Sequence, residues 1–223
     1  MAANTTLADP SFDKREQNAP AITTATSRHL QNVWVKLGDD INGEAGGDQS
    51  GWTVALSNDG TIVAIGARYN GCGNGSPRRG HVRVLQLVEG SWNRMGEDID
   101  GEADYDYSGQ ELDLSADGSI VAIGAPGNIG VNGFESGHAR IYKYDGSSWK
   151  KLGGDLDGEA AGDLSGGSVS LSADGSIVAI GATRNEGNGF QSGHVRIYKF
   201  DDTSSSWGQV GGDLDDKSID DPN

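Results

Sequence analysis

"SGQELDLSADGSIVAIGAP", running from Ser108 to Pro126, decides the fold, because the chain writes it three times. "SGWTVALSNDGTIVAIGAR" (Ser50–Arg68) and "SGGSVSLSADGSIVAIGAT" (Ser165–Thr183) are the other copies. Trp34, Trp92, Trp149 and Trp207 recur every ~57 residues, a period that belongs to propellers, solenoids or arrays. His81, His138 and His194 mark the same period elsewhere in the unit.

Each unit reads as four strands. "WTVALS", "ELDLS" and "SVSLS" alternate apolar and polar, as half-buried strands do. "TIVAIGA" and its two copies "SIVAIGA" are almost wholly apolar, the mark of a strand covered on both faces. "HVRVLQL", "HARIYKY" and "HVRIYKF" alternate again, and a short Trp strand closes the unit ("WNRMG", "WKKLG", "WGQVG"). Asp-Gly at Asp59–Gly60, Asp117–Gly118 and Asp174–Gly175 predicts a tight hairpin between strands one and two. The long connections, an acidic loop before strand one and a Gly/Asn-rich loop after strand two, then fall together at the other end of each sheet, where binding residues collect.

Four-stranded antiparallel units arranged radially are propeller blades. The expected fold is all-β: three such repeats plus an extra N-terminal strand at Trp34, forming a partial or open propeller. Residues 31–216 hold the blades, in units of about 39–96, 97–153 and 154–211, between polar tails at 1–30 and 217–223. Glycine supplies 36 of the 223 residues, which suits turns and weakens helices. With 33 acidic against 17 basic side chains, the net charge of −16 repels phosphate backbones and anionic headgroups. Nucleic-acid binding and membrane insertion are therefore not expected. The single cysteine closes no internal disulfide, and neither a membrane-spanning apolar run nor a secretory leader pattern is present, so the expectation is a soluble, untargeted chain.

The run "SGxxVxLSxDGxIVAIGAP", which extends through Ala125–Pro126 in the second unit with Leu112 at the Val position, resembles the FG-GAP repeat of integrin α-chain propellers and of many bacterial and algal repeat proteins. Ser50–Gly51, Ser108–Gly109 and Ser165–Gly166 stand where that family has Phe-Gly, and Gly124–Ala125–Pro126 matches its Gly-Ala-Pro. The resemblance implies a propeller, an extracellular setting and an adhesion-type role. It also implies a calcium loop between strands one and two, where this chain has only a bare Asp-Gly turn.

Candidate metal ligands lie instead before strand one. They are Asp40, Asn42, Glu44 and Asp48; Asp98, Asp100, Glu102 and Asp106; and Asp155, Asp157, Glu159 and Asp163. Oxygen ligands at positions 1, 3, 5 and 9 of a turning loop can converge on one calcium ion. The rival reading is turn chemistry, with carboxylates capping backbone N–H groups. The three histidines are expected to be structural, hydrogen-bonded to a neighbouring turn, and the tryptophans to pack between blades. Tyr69, Phe134 and Phe190, in the long loops, are the candidate ligand contacts.

The functional expectation is a non-catalytic interaction or adhesion module that offers its long loops to a protein or glycan, with calcium as a candidate ion. Self-association to complete the propeller is a further candidate. Two alternatives stay open: a glycan-acting propeller hydrolase or lyase using acidic-loop carboxylates, and a piece of a longer propeller without independent activity.

Overall fold

The computed structural model describes residues 34–71 and 77–215. The tails expected at 1–30 and 217–223 both lie outside these residues. Every regular element is a strand, and no helix is long and apolar enough to cross a membrane.

Three antiparallel sheets follow one another along the chain. The first comprises β1 (Thr53–Leu56), β2 (Ile62–Ala67), β3 (His81–Val88), β4 (Ser91–Arg94) and β5 (Ile99–Asp100). The second repeats the pattern with β6 (Glu111–Leu114), β7 (Ile120–Ala125), β8 (His138–Tyr144), β9 (Trp149–Lys151) and β10 (Leu156–Asp157). The third has β11 (Ser165–Leu171), β12 (Ile177–Ala182), β13 (His194–Asp201), β14 (Ser206–Gln209) and β15 (Leu214–Asp215). The first three strands of each sheet pair in chain order, and the last two both pair with the third. β4 lies along the far half of β3 (Val88↔Ser91) and β5 along its start (His81↔Asp100). The outer edge is thus one strand broken at a glycine, and Gly96, Gly153 and Gly211 all have φ near +77° there (76°, 77° and 77°). Each sheet is a four-stranded propeller-type blade.

The extra strand expected at Trp34 is not formed. Residues 34–37 carry no strand, and Trp34 is almost fully exposed. What the "WxxLG" segment supplies is a carbonyl. The Trp92 indole N–H donates to Leu37 O, Trp149 to Met95 O and Trp207 to Leu152 O, so each tryptophan reaches back to the equivalent residue of the preceding unit. Tyr144 and Phe200 pack on Trp149 and Trp207 with ring centroids 5.2 and 5.1 Å apart. Packing between repeats explains the tryptophan period.

The core lies between blades. Ile62, Ala64, Val82 and Val84 of the first blade meet Leu112, Leu114, Val121 and Ile123 of the second. The other face of β7 (Ile120, Ala122) meets Leu171, Val178 and Ile180 of the third. Alternate residues of "IVAIGA" therefore serve two neighbours, and burying each such aliphatic side chain is worth about 1.5–3 kcal/mol. In the third blade one face has no neighbour among the described residues, and the burial of β12 drops to every second residue.

At the hairpin end, each Asp of the Ser-x-Asp-Gly turn organises its neighbours. Asp117 Oδ1 accepts from Ser115 Oγ (2.7 Å) and Ser119 N (2.9 Å), while Ser115 Oγ accepts from Ile120 N. The equivalent hydrogen bonds from Ser172 and Ser176 hold Asp174 well below the usual carboxylate range, at about 2. Turns of adjacent blades are tied by Asn58 N→Ala116 O and Ala116 N→Ala173 O, both 2.8 Å.

Candidate functional site: the long-loop end

The two long connections of each blade interlock at the opposite end. From Gly101 the chain leaves the outer strand of one blade and crosses to β6 of the next. On the way it pairs with the Gly/Asn-rich loop behind it, through Tyr105 N→Pro77 O, Tyr107 N→Arg78 O and Ser108 N→Arg79 O. The same lattice joins the next pair of blades through Gly162 N→Phe134 O, Leu164 N→Glu135 O and Ser165 N→Ser136 O. Gln49, Tyr107 and Leu164, each just before the Ser-Gly, hold φ of +56°, +54° and +55°. That left-handed region is costly for bulky side chains, and its recurrence at one repeat position marks a conformation enforced by the surroundings.

The candidate metal ligands divide among several tasks. The ninth-position aspartates are buried caps. Asp106 Oδ2 accepts from Glu102 N (2.9 Å) and Ala103 N (2.8 Å), and its Oδ1 from Asn128 Nδ2 (3.0 Å). Asp48 is held in the same way by Ala45 N and Asn70, and Asp163 by Ala160 N and Asn185. The third positions offer backbone oxygen: Arg83 Nη2 donates to Asn42 O, Arg140 Nη2 to Asp100 O and Arg196 Nη2 to Asp157 O. First and fifth positions part company across the blade boundary. Glu44 and Asp98 carboxylate oxygens flank His81 Nδ1 at 3.9 and 3.8 Å, and both acids pair with Arg94.

The second and third blades repeat this with Glu102, His138 and Asp155, then Glu159, His194 and Asp213. Arg140 Nη1 lies 3.2 Å from Glu102, Lys151 Nζ 2.8 Å from Asp155, and Arg196 Nη1 3.6 Å from Glu159. Asp40 pairs with Lys36 at 2.7 Å.

The expected calcium ligands of each loop are thus divided between two blades. Among the described residues, the groups that bring three ligand atoms within 4.8 Å of one another each combine a fifth-position Glu, a strand histidine and the first-position Asp of the following loop. The four oxygens of a single loop are not so gathered. The reason is that β5 and β10 hold the third positions, with the first positions just before them, as part of the preceding blade, while the fifth and ninth belong to the next. Lys151 or Arg94 already neutralises the first-position acid.

The histidines also differ from expectation. His81 and His138 are buried, and neither donates to a neighbouring turn; their Nδ1 atoms face carboxylates beyond hydrogen-bond range. Burial is the main cause that lowers both pKa values from the ordinary 6.5, with Arg140 adding to it at His138 and the nearby acids opposing it.

The three buried arginines escaped the sequence reading. "HVR", "HAR" and "HVR" open β3, β8 and β13, and Arg83, Arg140 and Arg196 stand at the same inward position two residues after each histidine. A basic residue recurring at an alternating core position, one per acidic loop, is the signal that would have found them. The acidic loop is then an electrostatic clamp: it supplies a carbonyl to each of the three guanidinium groups, and a carboxylate to those of Arg140 and Arg196, that burial would otherwise leave unpaired.

Tyr69, Phe134 and Phe190 are not brought together. Tyr69 is half-buried, its ring faced by the Arg68 and Arg78 guanidinium carbons at 4.6 Å each and by Tyr107 at 5.8 Å. Arg68 also lies 3.1 Å over the Trp52 ring. Phe134 and Phe190 project outward, Phe190 with 83% of its surface exposed. Ile129 and Val131 stand exposed in the same loop as Phe134. Beside Phe190, a cleft of about 510 Å³ opens between the acidic loop at Glu159–Asp163 and the loop carrying Arg184, Asn185 and Gln191.

Fold and site together define an all-β protein of propeller-type blades. No protein-family model matches the chain, and no curated protein matches it in sequence. Among solved structures it is similar to a "putative 6-phosphogluconolactonase" of Bacteroides fragilis NCTC 9343, with TM-score 0.50 and 12% identity over 74% of this chain and 39% of the other. A protein of the same description from Bacteroides uniformis ATCC 8492 gives 0.49 and 11% over 74% and 40%. A "putative TolB" of Agrobacterium tumefaciens gives 0.37 and 15% over 71% and 45%. The chain thus spans about two fifths of the first two structures. At such identities the likeness is one of fold. It nevertheless corrects the expectation that the chain is not an enzyme, since the Bacteroides fragilis structure similar to it is described by an enzymatic activity. The blade architecture therefore does not carry a non-enzyme assignment.

Proposed function

We propose that the chain is a binding module that engages a protein partner through its long-loop end, as FG-GAP-type propeller repeats do. The observation that supports this reading is the pairing of a backbone-locked loop lattice with protruding apolar side chains. Ile129, Val131, Phe134 and Phe190 are exposed on loops whose bases are hydrogen-bonded to the next blade or across their own turn. Apolar tips on a fixed base lose little entropy on contact, which is how preorganised surfaces gain affinity. The polar cleft beside Phe190 offers directional contacts, from Arg184 and Gln191, to whatever packs on the tips.

The test is selection of binders from a displayed peptide library on the wild-type chain, with counterselection on the Phe134→Ser, Phe190→Ser double variant. The reading expects binders that prefer the wild type and compete with one another. Binders indifferent to the two substitutions would contradict it. Glycan-array binding that disappears in the same variant would move the ligand class from protein to glycan.

A further inference from the structure

The joint between blades is built twice within the chain, and both of its halves are present a third time without a partner among the described residues. We infer that the first blade of one chain docks on the open face of the third blade of a second copy, and that two chains close a ring of six blades.

The donor half is the first strand of a blade with the Ser-Gly turn before it. In the second blade this half is Ser108–Gly109 with Leu112 and Leu114, packed against the first blade. In the first blade the same positions are Ser50–Gly51, Val54 and Leu56. Leu56 is 60% exposed where its counterpart Leu114 is 6%. The acceptor half is the far face of the middle strands. Ile120, Ala139 and Leu156 are buried in the second blade, whereas their counterparts Ile177, Val195 and Leu214 stand exposed in the third. Leu214 shows 57% of its surface against 7% for Leu156.

Backbone clearance independently points to the same joint. A Cβ on Gly66 would meet Gly109 O at 2.1 Å, and one on Gly124 would meet Gly166 O at 2.0 Å, so the Ser-Gly turn of the incoming blade sits directly on the strand-two glycine. Gly181 is the third glycine of this set. Its nearest neighbour is Ser168 Cβ, in its own blade, at 3.4 Å. Gly51, the counterpart of the docking Gly109 and Gly166, has nothing within 4 Å. Over Gly181 lies a groove of about 410 Å³ that also involves Gly193 and His194. Their counterparts in the first blade, Gly80 and His81, are the residues against which Ser108 and Gly109 rest. The groove has the position of the missing turn.

Closure sets the number of copies. A head-to-tail joint either closes into a ring or runs on as a filament, and propellers close at about four to eight blades. With the three blades formed by residues 53–215, two copies of the 1–223 chain are the one whole number that falls in that range. The occupant is therefore a second copy whose own open face receives the first chain in return.

Sedimentation or light scattering of the 1–223 chain over a range of concentrations tests this. The expected species is a dimer of twice the 23.2 kDa chain mass, dissociating on dilution. Gly181→Ala adds only a Cβ, which the isolated blade accommodates, yet it should raise the dimer dissociation constant at least about tenfold. Leu56→Asp on the opposite half should do the same, and both variants should keep the wild-type circular dichroism. A wild-type chain that stays monomeric throughout would overturn the inference. So would a dimer untouched by both substitutions, or an open-ended series of larger assemblies.

Discussion

Gly124→Ala interrogates the blade joint at its tightest point. The added Cβ would lie 2.0 Å from Gly166 O and 3.0 Å from its carbonyl carbon, where Cβ contacts below about 3.0 Å are essentially never tolerated. The obstacle is backbone, so no side chain can swing aside. The third blade would have to move off by roughly an ångström, loosening the contacts of Leu171, Val178 and Ile180 with Ile120 and Ala122. Overpacking of this kind costs about 1–3 kcal/mol, and a rigid obstacle belongs at the upper end. Restricting the unfolded chain returns about 0.4–1 kcal/mol, leaving a net loss of about 2 kcal/mol. For a chain of this size that is a fall of about 4–8 °C in Tm. Gly208→Ala on β14 is the control, since a Cβ there meets nothing within 4 Å. Thermal and denaturant unfolding of both variants, read by far-UV circular dichroism, gives the comparison. A Gly124→Ala protein as stable as Gly208→Ala would refute the close approach and with it the packing of blade on blade.

Trp149→Phe keeps an aromatic ring against Tyr144 but leaves Met95 O without its donor; denaturant unfolding should show a loss of about 1 kcal/mol. Acid should weaken the fold through His81 and His138, whose pKa values are lowered by burial. The unfolded state takes up these protons first, so their contribution is complete above the ordinary 6.5 and is lost progressively below it. Between about pH 7.5 and 5.5 the wild type should lose more stability than His81→Gln, and equal slopes would count against the buried neutral imidazole. Calcium added at constant ionic strength should leave Tm unchanged, because the acidic-loop oxygens of one loop point to different partners. A saturating rise specific to calcium over magnesium would show that they regroup around an ion.

The blade architecture was legible because each level of the sequence agrees with it. Alternation, the Asp-Gly hairpins and the apolar "IVAIGA" run name β1–β3 and their copies without tertiary information. β5, β10 and β15 were not legible, since two residues such as Leu156–Asp157 carry no period, and only pairing with the start of strand three makes them strands. That omission misplaced the acidic loop. With Asp98 and Asp100 read as loop, positions 1, 3, 5 and 9 looked like one ligand set, whereas the chain passes from one blade to the next in their midst. The Trp34 strand failed for the converse reason: "WVKLG" has the repeat's pattern but not the pairing that makes its copies strands. Asn70, Asn128 and Asn185 were visible only as loop composition, and their role as donors to the buried aspartates is a contact 22 residues away in sequence.

The central claim is that the long-loop end is a fixed platform, each loop held by the blade beside it. Residue-resolved amide hydrogen exchange of the free chain measures this directly. Gly101, Gly158, Gly162 and Leu164 should exchange far more slowly than free loop amides, because each donates to a carbonyl of the neighbouring loop (Gly80, Gly137, Phe134 and Glu135). Exchange of these four at the rate of unstructured chain, with strands β2 and β7 still protected, would show blades without a platform and contradict it.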